Sequence, residues 1–409
     1  MEKEQKREEK GITLVALVVT IIVLIILAGV TLNIVLDNDG IVSKTKEATE
    51  EYENAQRGEQ ELLGVVEDYI EYAGKTAPIP EGYTASQITT EDSVAEGLVI
   101  YEIPEGATVD WENQTITIEG STTNLQETVD QYVWIPVDDI NSMVMCRSNS
   151  GDRVCNLVLE GEILKCTTHT DTDTSTDLVG RLYTSSMVNP GNNICSYEMD
   201  FTKRDQIFNE ADYHEPAILT DDASNSSITI EQLKDEFKIM ATSVAKNGGF
   251  YISRYEVGRD GESKKGQPVL TAASSDNVSS NYLGANTWYG LYDTLRDLGN
   301  NQQMIWGCQY DQVIKFVGEE SEIGHADKNL TETPALSGEN ELDKLKNVYD
   351  IEGNHIEWIL EARSANTRTG RGNNFFGVSI NYFNPASGRY ANYPTYPFEY
   401  CSSRSTIYI

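Results

Sequence analysis

The side chains able to do chemistry are few and far apart. The chain has four histidines, and the nearest pair, His325 and His355, stands 30 positions apart. His169, His214 and His325 lie in polar stretches and belong to no motif. A histidine-based metal site therefore has little to draw on. Of the six cysteines, no two are spaced Cys-x-x-Cys, which rules out a zinc ribbon. Cys146, Cys155, Cys166 and Cys195 cluster, whereas Cys308 and Cys401 stand apart. Outside the cytoplasm the cluster is expected to form disulfides, although spacing does not choose among the pairings. Asp171 and Asp173 stand at Asp-x-Asp spacing, with Asp177 four residues further on. No glycine turn and no distal glutamate accompany them, so they read as a solvated loop.

Charge narrows the function classes. The 409 residues include 31 Lys+Arg against 65 Asp+Glu, a formal charge of −34. A nucleic-acid partner is excluded on that balance, because phosphate binding rests on Lys and Arg neutralisation. Residues 364–409 depart from it: Arg368, Arg371, Arg389 and Arg404 face Glu399 alone. The same stretch is rich in Ser, Asn and Tyr. Tyr and Arg supply contact area and directional hydrogen bonds at recognition surfaces, and Ser and Asn supply adaptable ones. Asn373, Asn374, Asn381, Tyr382, Asn384, Arg389, Tyr390, Asn392, Tyr393 and Tyr396 are the candidate ligand contacts. The ligand expected there is a protein or a glycan.

Other segments must anchor and position that surface. No charged residue occurs from Gly11 to Leu36. As a helix this run spans about 39 Å at ~1.5 Å per residue, enough for a hydrocarbon core of about 30 Å. It is too long for a signal-peptide apolar region and ends in no Ala-x-Ala site. Lys3, Lys6, Arg7 and Lys10 precede it, which predicts a cytoplasmic N-terminus and everything after Asp37 outside. The expected location is thus the cell membrane, single-pass, or a surface pilus.

The junction Lys10-Gly11-Ile12-Thr13-Leu14-Val15 resembles the processing site of type IV prepilins. The resemblance implies cleavage after Gly11, methylation of Ile12, and an apolar helix that first anchors and later packs against pilus or pseudopilus subunits. That family has glutamate at the fifth mature position, where Ala16 stands here.

Beyond the anchor the chain divides by pattern. Ser43 to Ala73 contains no proline and reads as a mostly solvated helical stalk, stopped by Gly74, Pro78, Pro80 and Gly82. Leu98–Tyr101 and Thr115–Ile118 are strand-like runs separated by turn signals, a small β unit. Tyr132–Val137 predicts a buried strand, and Gly249–Val257 an alternating aromatic one. Helical spacing occupies 285–298 and 309–318; after Leu360 no helix pattern remains. The expected organisation is leader 1–11, membrane helix 12–36, stalk 37–75, linker with β unit 76–130, and domain 131–409 with an insertion over about 146–245. The fold class is α+β.

Residues 132–409 carry a second resemblance, to the sulfatase-modifying-factor or formylglycine-generating-enzyme family. Trp134-Ile135-Pro136, Phe250–Val257, Met304–Asp311, Val348–Trp358, Arg371–Asn374 and Ser403–Ile409 follow that family's motifs in order. The resemblance implies a loop-rich C-type-lectin-like α/β scaffold, with Arg371, Gly372 and Arg404 in the framework. It also implies Ca²⁺ at the Asp350–Trp358 turn, held by Asp350 and Glu357 carboxylates and the main-chain oxygens of Gly353 and His355. Calcium takes 6–8 oxygens, which a glycine turn between two carboxylates can supply. Catalysis is another matter. The oxidase members need two cysteines near the C-terminus, where Cys401 stands alone, and the iron-dependent relatives need a histidine-rich helix absent here. The chain is therefore expected not to be an enzyme. The favoured function is an adhesin-like binding protein displayed on a membrane or pilus stalk. The alternatives are a minor pilin or pseudopilin, a variable protein diversified by a retroelement, and, least favoured, an active oxidase.

Overall fold

The computed structural model describes residues 75–143, 145–147, 153–161, 163–168, 195–196, 228–258, 261–270, 287–299, 301–317, 334–351, 353–364, 366–372, 389–396 and 400–409. All belong to the compact unit Glu71–Ile409. The unit Met1–Ile70, with the Gly11–Ile12 junction, the apolar run and most of the stalk, lies outside the described residues. Among the described residues no helix is long and apolar enough to cross a membrane.

The unit is α+β. Its principal sheet has the order β1 (Thr84–Ala85), β2 (Val99–Tyr101), β6 (Gln131–Pro136), β11 (Gly249–Ser253), β19 (Ser405–Ile407) and β12 (Gln302–Met304). Every neighbouring pair in it is antiparallel. Both faces of β6 are covered, which explains a continuous apolar run where a half-solvated strand would alternate. Val133 and Ile135 join the main core with Val99, Phe250 and Ile252. Tyr132 and Trp134 join a second cluster with Ile100, Tyr251 and Ile407.

Residues 76–130 contribute β1 and β2 to this sheet and also form a separate three-stranded sheet. That sheet comprises β3 (Thr108–Asp110), β4 (Thr115–Ile118) and β5 (Ser121–Asn124), and the short helix α1 (Leu125–Thr128) follows it. The segment is tied down by a buried pair, Arg254 Nη2 to Glu91 Oε1 at 2.8 Å.

Another short helix, α2 (Ile140–Met143), leads into β7 (Met145–Arg147), β8 (Arg153–Glu160), β9 (Ile163–Thr168) and β10 (Cys195–Ser196), a four-stranded sheet ordered β10-β7-β8-β9. Helix α3 (Ile230–Asn247) begins inside the stretch read as an insertion, yet Leu233, Phe237, Met240, Ala241 and Val244 are buried in the main core. Its start was legible. Thr229 caps Gln232 N–H, and Thr-x-x-Gln followed by apolar residues at helical spacing is a capping signature. Gly248 closes the helix at φ 75°, the left-handed conformation that favours glycine.

The expected helices at 285–298 and 309–318 are present as α4 (Trp288–Asp297) and α5 (Gly307–Val317). Trp288, Leu291, Tyr292 and Leu295 form the buried stripe of α4. A two-stranded hairpin, β13 (Lys344–Leu345) and β14 (Val348–Tyr349), leads to the last sheet. That sheet has the order β17 (Arg389–Asn392), β16 (Thr367–Arg371), β15 (Ile356–Ser364) and β18 (Cys401–Ser403), with β15 and β18 parallel. Arg404 alone separates β18 from β19, so the chain passes between the two large sheets at that residue.

Candidate functional site

Two places collect the residues singled out from sequence. The first is the turn between β14 and β15. Asp350, Gly353 and Asn354 have φ of 54°, 94° and 49°, a run of left-handed conformations that reverses the chain tightly. A Cβ at Gly353 would meet nothing within 4 Å, so the backbone angle and not space calls for glycine there.

The turn points polar groups inward. Asn354 Nδ2 donates to Glu256 Oε2 at 2.5 Å, and His355 N–H donates to Glu256 Oε1 at 3.0 Å. Asp350 Oδ2 accepts from Gly338 N–H at 2.8 Å. Glu357 accepts from Arg404 Nε through Oε1 and from the Tyr310 hydroxyl through Oε2, the latter at 2.5 Å. Arg404 also donates through Nη2 to Tyr349 O at 2.5 Å. Beside it, Arg371 Nη2 donates to Asp311 Oδ1 at 2.6 Å, with its guanidinium 4.6 Å from the Tyr310 ring centre.

Burial dominates the electrostatics. It pushes Glu256 and Asp350 up to about 8 and Glu357 to about 7, in each case against the attraction of Arg404. Burial also brings His355 down to about 4, so near neutrality its ring is uncharged. Nδ1 of His355 and Glu256 Oε2 lie 3.2 Å apart, within hydrogen-bond reach.

Asp350, Gly353 and His355, three of the four expected calcium residues, thus fall on one buried turn, and Glu357 follows on β15. The carboxylate of Glu357 is committed to Arg404 and Tyr310, while Asp350 is held by one backbone N–H through Oδ2. Among the described residues no group of three or more His, Cys, Asp or Glu is arranged to hold a metal ion. The sequence pointed to Asp350 and Glu357 but not to Glu256 and Tyr310, which complete the cluster. Glu256 sits in the Arg254–Val257 motif, where a charged residue within an apolar strand pattern was the available signal.

The second place is the segment after β17. Tyr393-Pro394-Thr395-Tyr396 is a β-turn closed by Tyr396 N–H donating to Tyr393 O at 3.1 Å. Proline at its second position pre-sets the backbone. The turn is pinned to the start of α4, since Trp288 N–H donates to Pro394 O at 3.2 Å. Pro394 is buried, whereas Tyr393 is 43% and Tyr396 53% exposed. The rings stand 5.3 Å apart at 50°. Among the residues whose side chains are described, these are the only exposed aromatics.

Other candidate contacts fare differently. Asn392 is half-buried at the end of β17. Arg389 and Tyr390 lie on β17, in register with Arg371 and Gly370. Asn373, Asn374, Asn381, Tyr382 and Asn384 lie outside the described residues. Arg371 and Arg404, expected in the framework, are wholly buried. A scan against protein-family models finds no match to this chain, and a search of curated proteins finds none either.

Proposed function

We propose that the chain is a surface-displayed binding module, anchored through the apolar run Gly11–Leu36 and engaging a protein or glycan through its C-terminal segment. The observation that carries this reading is the Tyr393–Tyr396 turn. Two exposed, adjacent aromatic rings on a proline turn, hydrogen-bonded to a buried helix start, offer contact area with little ordering left to do on binding. Tyrosine is enriched at interfaces, where its ring is covered and its hydroxyl stays wet. The acid-poor composition around it suits a partner that the strongly negative remainder of the chain would repel.

Calcium at the Asp350 turn is part of the same proposal. Burial raises the carboxyls of Glu256, Asp350 and Glu357 against the attraction of Arg404, and a divalent cation beside Asp350 would favour their ionised form.

The test is binding of the full-length chain to glycan arrays and to candidate cells, compared with Tyr393→Ala/Tyr396→Ala. Lost binding with unchanged circular dichroism supports the module. Undiminished binding by the double variant refutes this surface.

A further inference from the structure

The β10-β7-β8-β9 sheet aligns the four clustered cysteines. Cys195 stands directly opposite Cys146, and Cys146 directly opposite Cys155. Cys155 is opposite Thr168, two residues from Cys166, which is itself opposite Leu157. Directly opposite residues share a face, as do residues two apart on one strand. All four cysteines therefore occupy one face, the face of Leu157 and Leu164, both buried in the main core.

Register then limits the chemistry. A disulfide needs Cα atoms about 4.4–6.8 Å apart, and adjacent strands lie about 4.7–4.9 Å apart. Four cysteines can pair off completely in three ways. Joining Cys146 to Cys155 leaves Cys195 and Cys166 three strands apart, about 14 Å by strand spacing. Joining Cys155 to Cys195 and Cys146 to Cys166 asks both bonds to cross two strands, about 10 Å each. Only Cys146–Cys195 with Cys155–Cys166 keeps both bonds between neighbouring strands. Cys155 and Cys166 are diagonal, with Cα atoms about 7–8 Å apart and Cβ atoms closer. That pair closes with a local movement of the backbone. The β8 irregularity between Cys155 and Arg153 lies beside it, where strands bend most readily.

We propose that Cys146–Cys195 and Cys155–Cys166 are disulfide bonds that staple this sheet, the first of them holding the two-residue strand β10 to β7. Each bond forms when the thiolate of one cysteine attacks its partner's sulfur in a mixed disulfide with a thiol–disulfide oxidant, making the Cys–Cys S–S bond as the mixed S–S bond breaks and the oxidant's thiolate leaves. The oxidant's disulfide takes up the two electrons, and the two cysteine protons end on its two sulfurs as thiols. Cys308 and Cys401 take no part, being buried elsewhere in the fold.

The experiment equilibrates the purified full-length chain with a glutathione redox buffer, which separates the pairing from the question of membrane topology. After alkylation, the chain is digested without reduction and mapped by mass spectrometry. Trypsin cuts after Arg147, Arg153, Lys165 and Arg181, so each of the four cysteines falls on its own peptide. The expected result is two linked species, Cys146 with Cys195 and Cys155 with Cys166. Any other linkage, or four alkylated or zinc-bound thiols after equilibration with excess oxidised glutathione, overturns the proposal.

Discussion

Arg404 donates through Nε to Glu357, and this one contact joins the two large sheets. Glu357 is on β15 of one sheet, whereas Arg404 is the single residue between β18 of that sheet and β19 of the other. Both side chains are essentially inaccessible to solvent. Arg404 further reaches Ser253 O, at the end of β11, at 3.3 Å. Its guanidinium thus holds the crossover from both sides.

The first prediction concerns this pair. Removing one partner of a buried ion pair strands the other and costs about 3–5 kcal/mol, whereas replacing both with apolar groups of similar size costs much less. Arg404→Met and Glu357→Leu should each destabilise by that order, and the double variant by less than either. Urea unfolding followed by the fluorescence of buried Trp306 and Trp358 reads the difference. Single-variant losses that simply add would deny the coupling.

Calcium should raise the melting temperature of the unit. A ligand bound only by the native state adds about 2.7 kcal/mol at 100 times its dissociation constant. Asp350→Asn should abolish the increment. A melting temperature indifferent to both calcium and chelator would mean that Arg404 alone balances the turn.

Acid should erase the contribution of Glu341. Burial alone would raise this carboxyl, but hydrogen bonds from Lys265 and Tyr349 and the charges of Lys265 and Lys344 bring it down to about 2. A depressed folded-state value means that the native state holds fewer protons than the unfolded chain between about 4.5 and 2. The stability linked to Glu341 is therefore present above about pH 4.5 and lost as pH falls toward 2. The native chain should melt above Glu341→Gln at pH 6, and the two should converge near pH 2. A gap that stays constant across that range would contradict the assignment.

Helix α3 should behave as core. Phe237 is buried and packs edge-on against Trp306, with ring centres 5.0 Å apart. Phe237→Ala is expected to cost about 3–5 kcal/mol, the range for buried phenylalanine. A loss under about 1 kcal/mol would return this helix to a peripheral insertion.

Exposed tyrosines should behave oppositely. Tyr393→Ala and Tyr396→Ala are each expected to change stability by no more than about 0.5 kcal/mol, as at ordinary surface sites. Thermal melts of the two single variants check this, and a large loss would mark the rings as structural.

The sequence by itself determined the elements whose patterns are local. Helices α4 and α5 follow from apolar spacing, and β2, β4, β6 and β11 from short apolar or alternating runs bounded by turn residues. The reversal at Asp350–Asn354 follows from a glycine and short polar residues that tolerate positive φ. Tertiary structure decided what depends on contacts between distant residues. It placed β1 and β2 in the principal sheet, where β2 pairs with β6, and it paired β6 with β11 over one hundred residues away, because pairing between separate strands leaves no periodic trace in either. It gave Glu357 to Arg404 and Tyr310, since a carboxylate's partner is set by whatever packs against it. It separated Tyr393 and Tyr396 from the many tyrosines of the chain, for exposure is a property of the assembled surface. It also aligned Cys195, Cys146 and Cys155 in one row, because strand register, not spacing along the chain, sets which residues stand opposite.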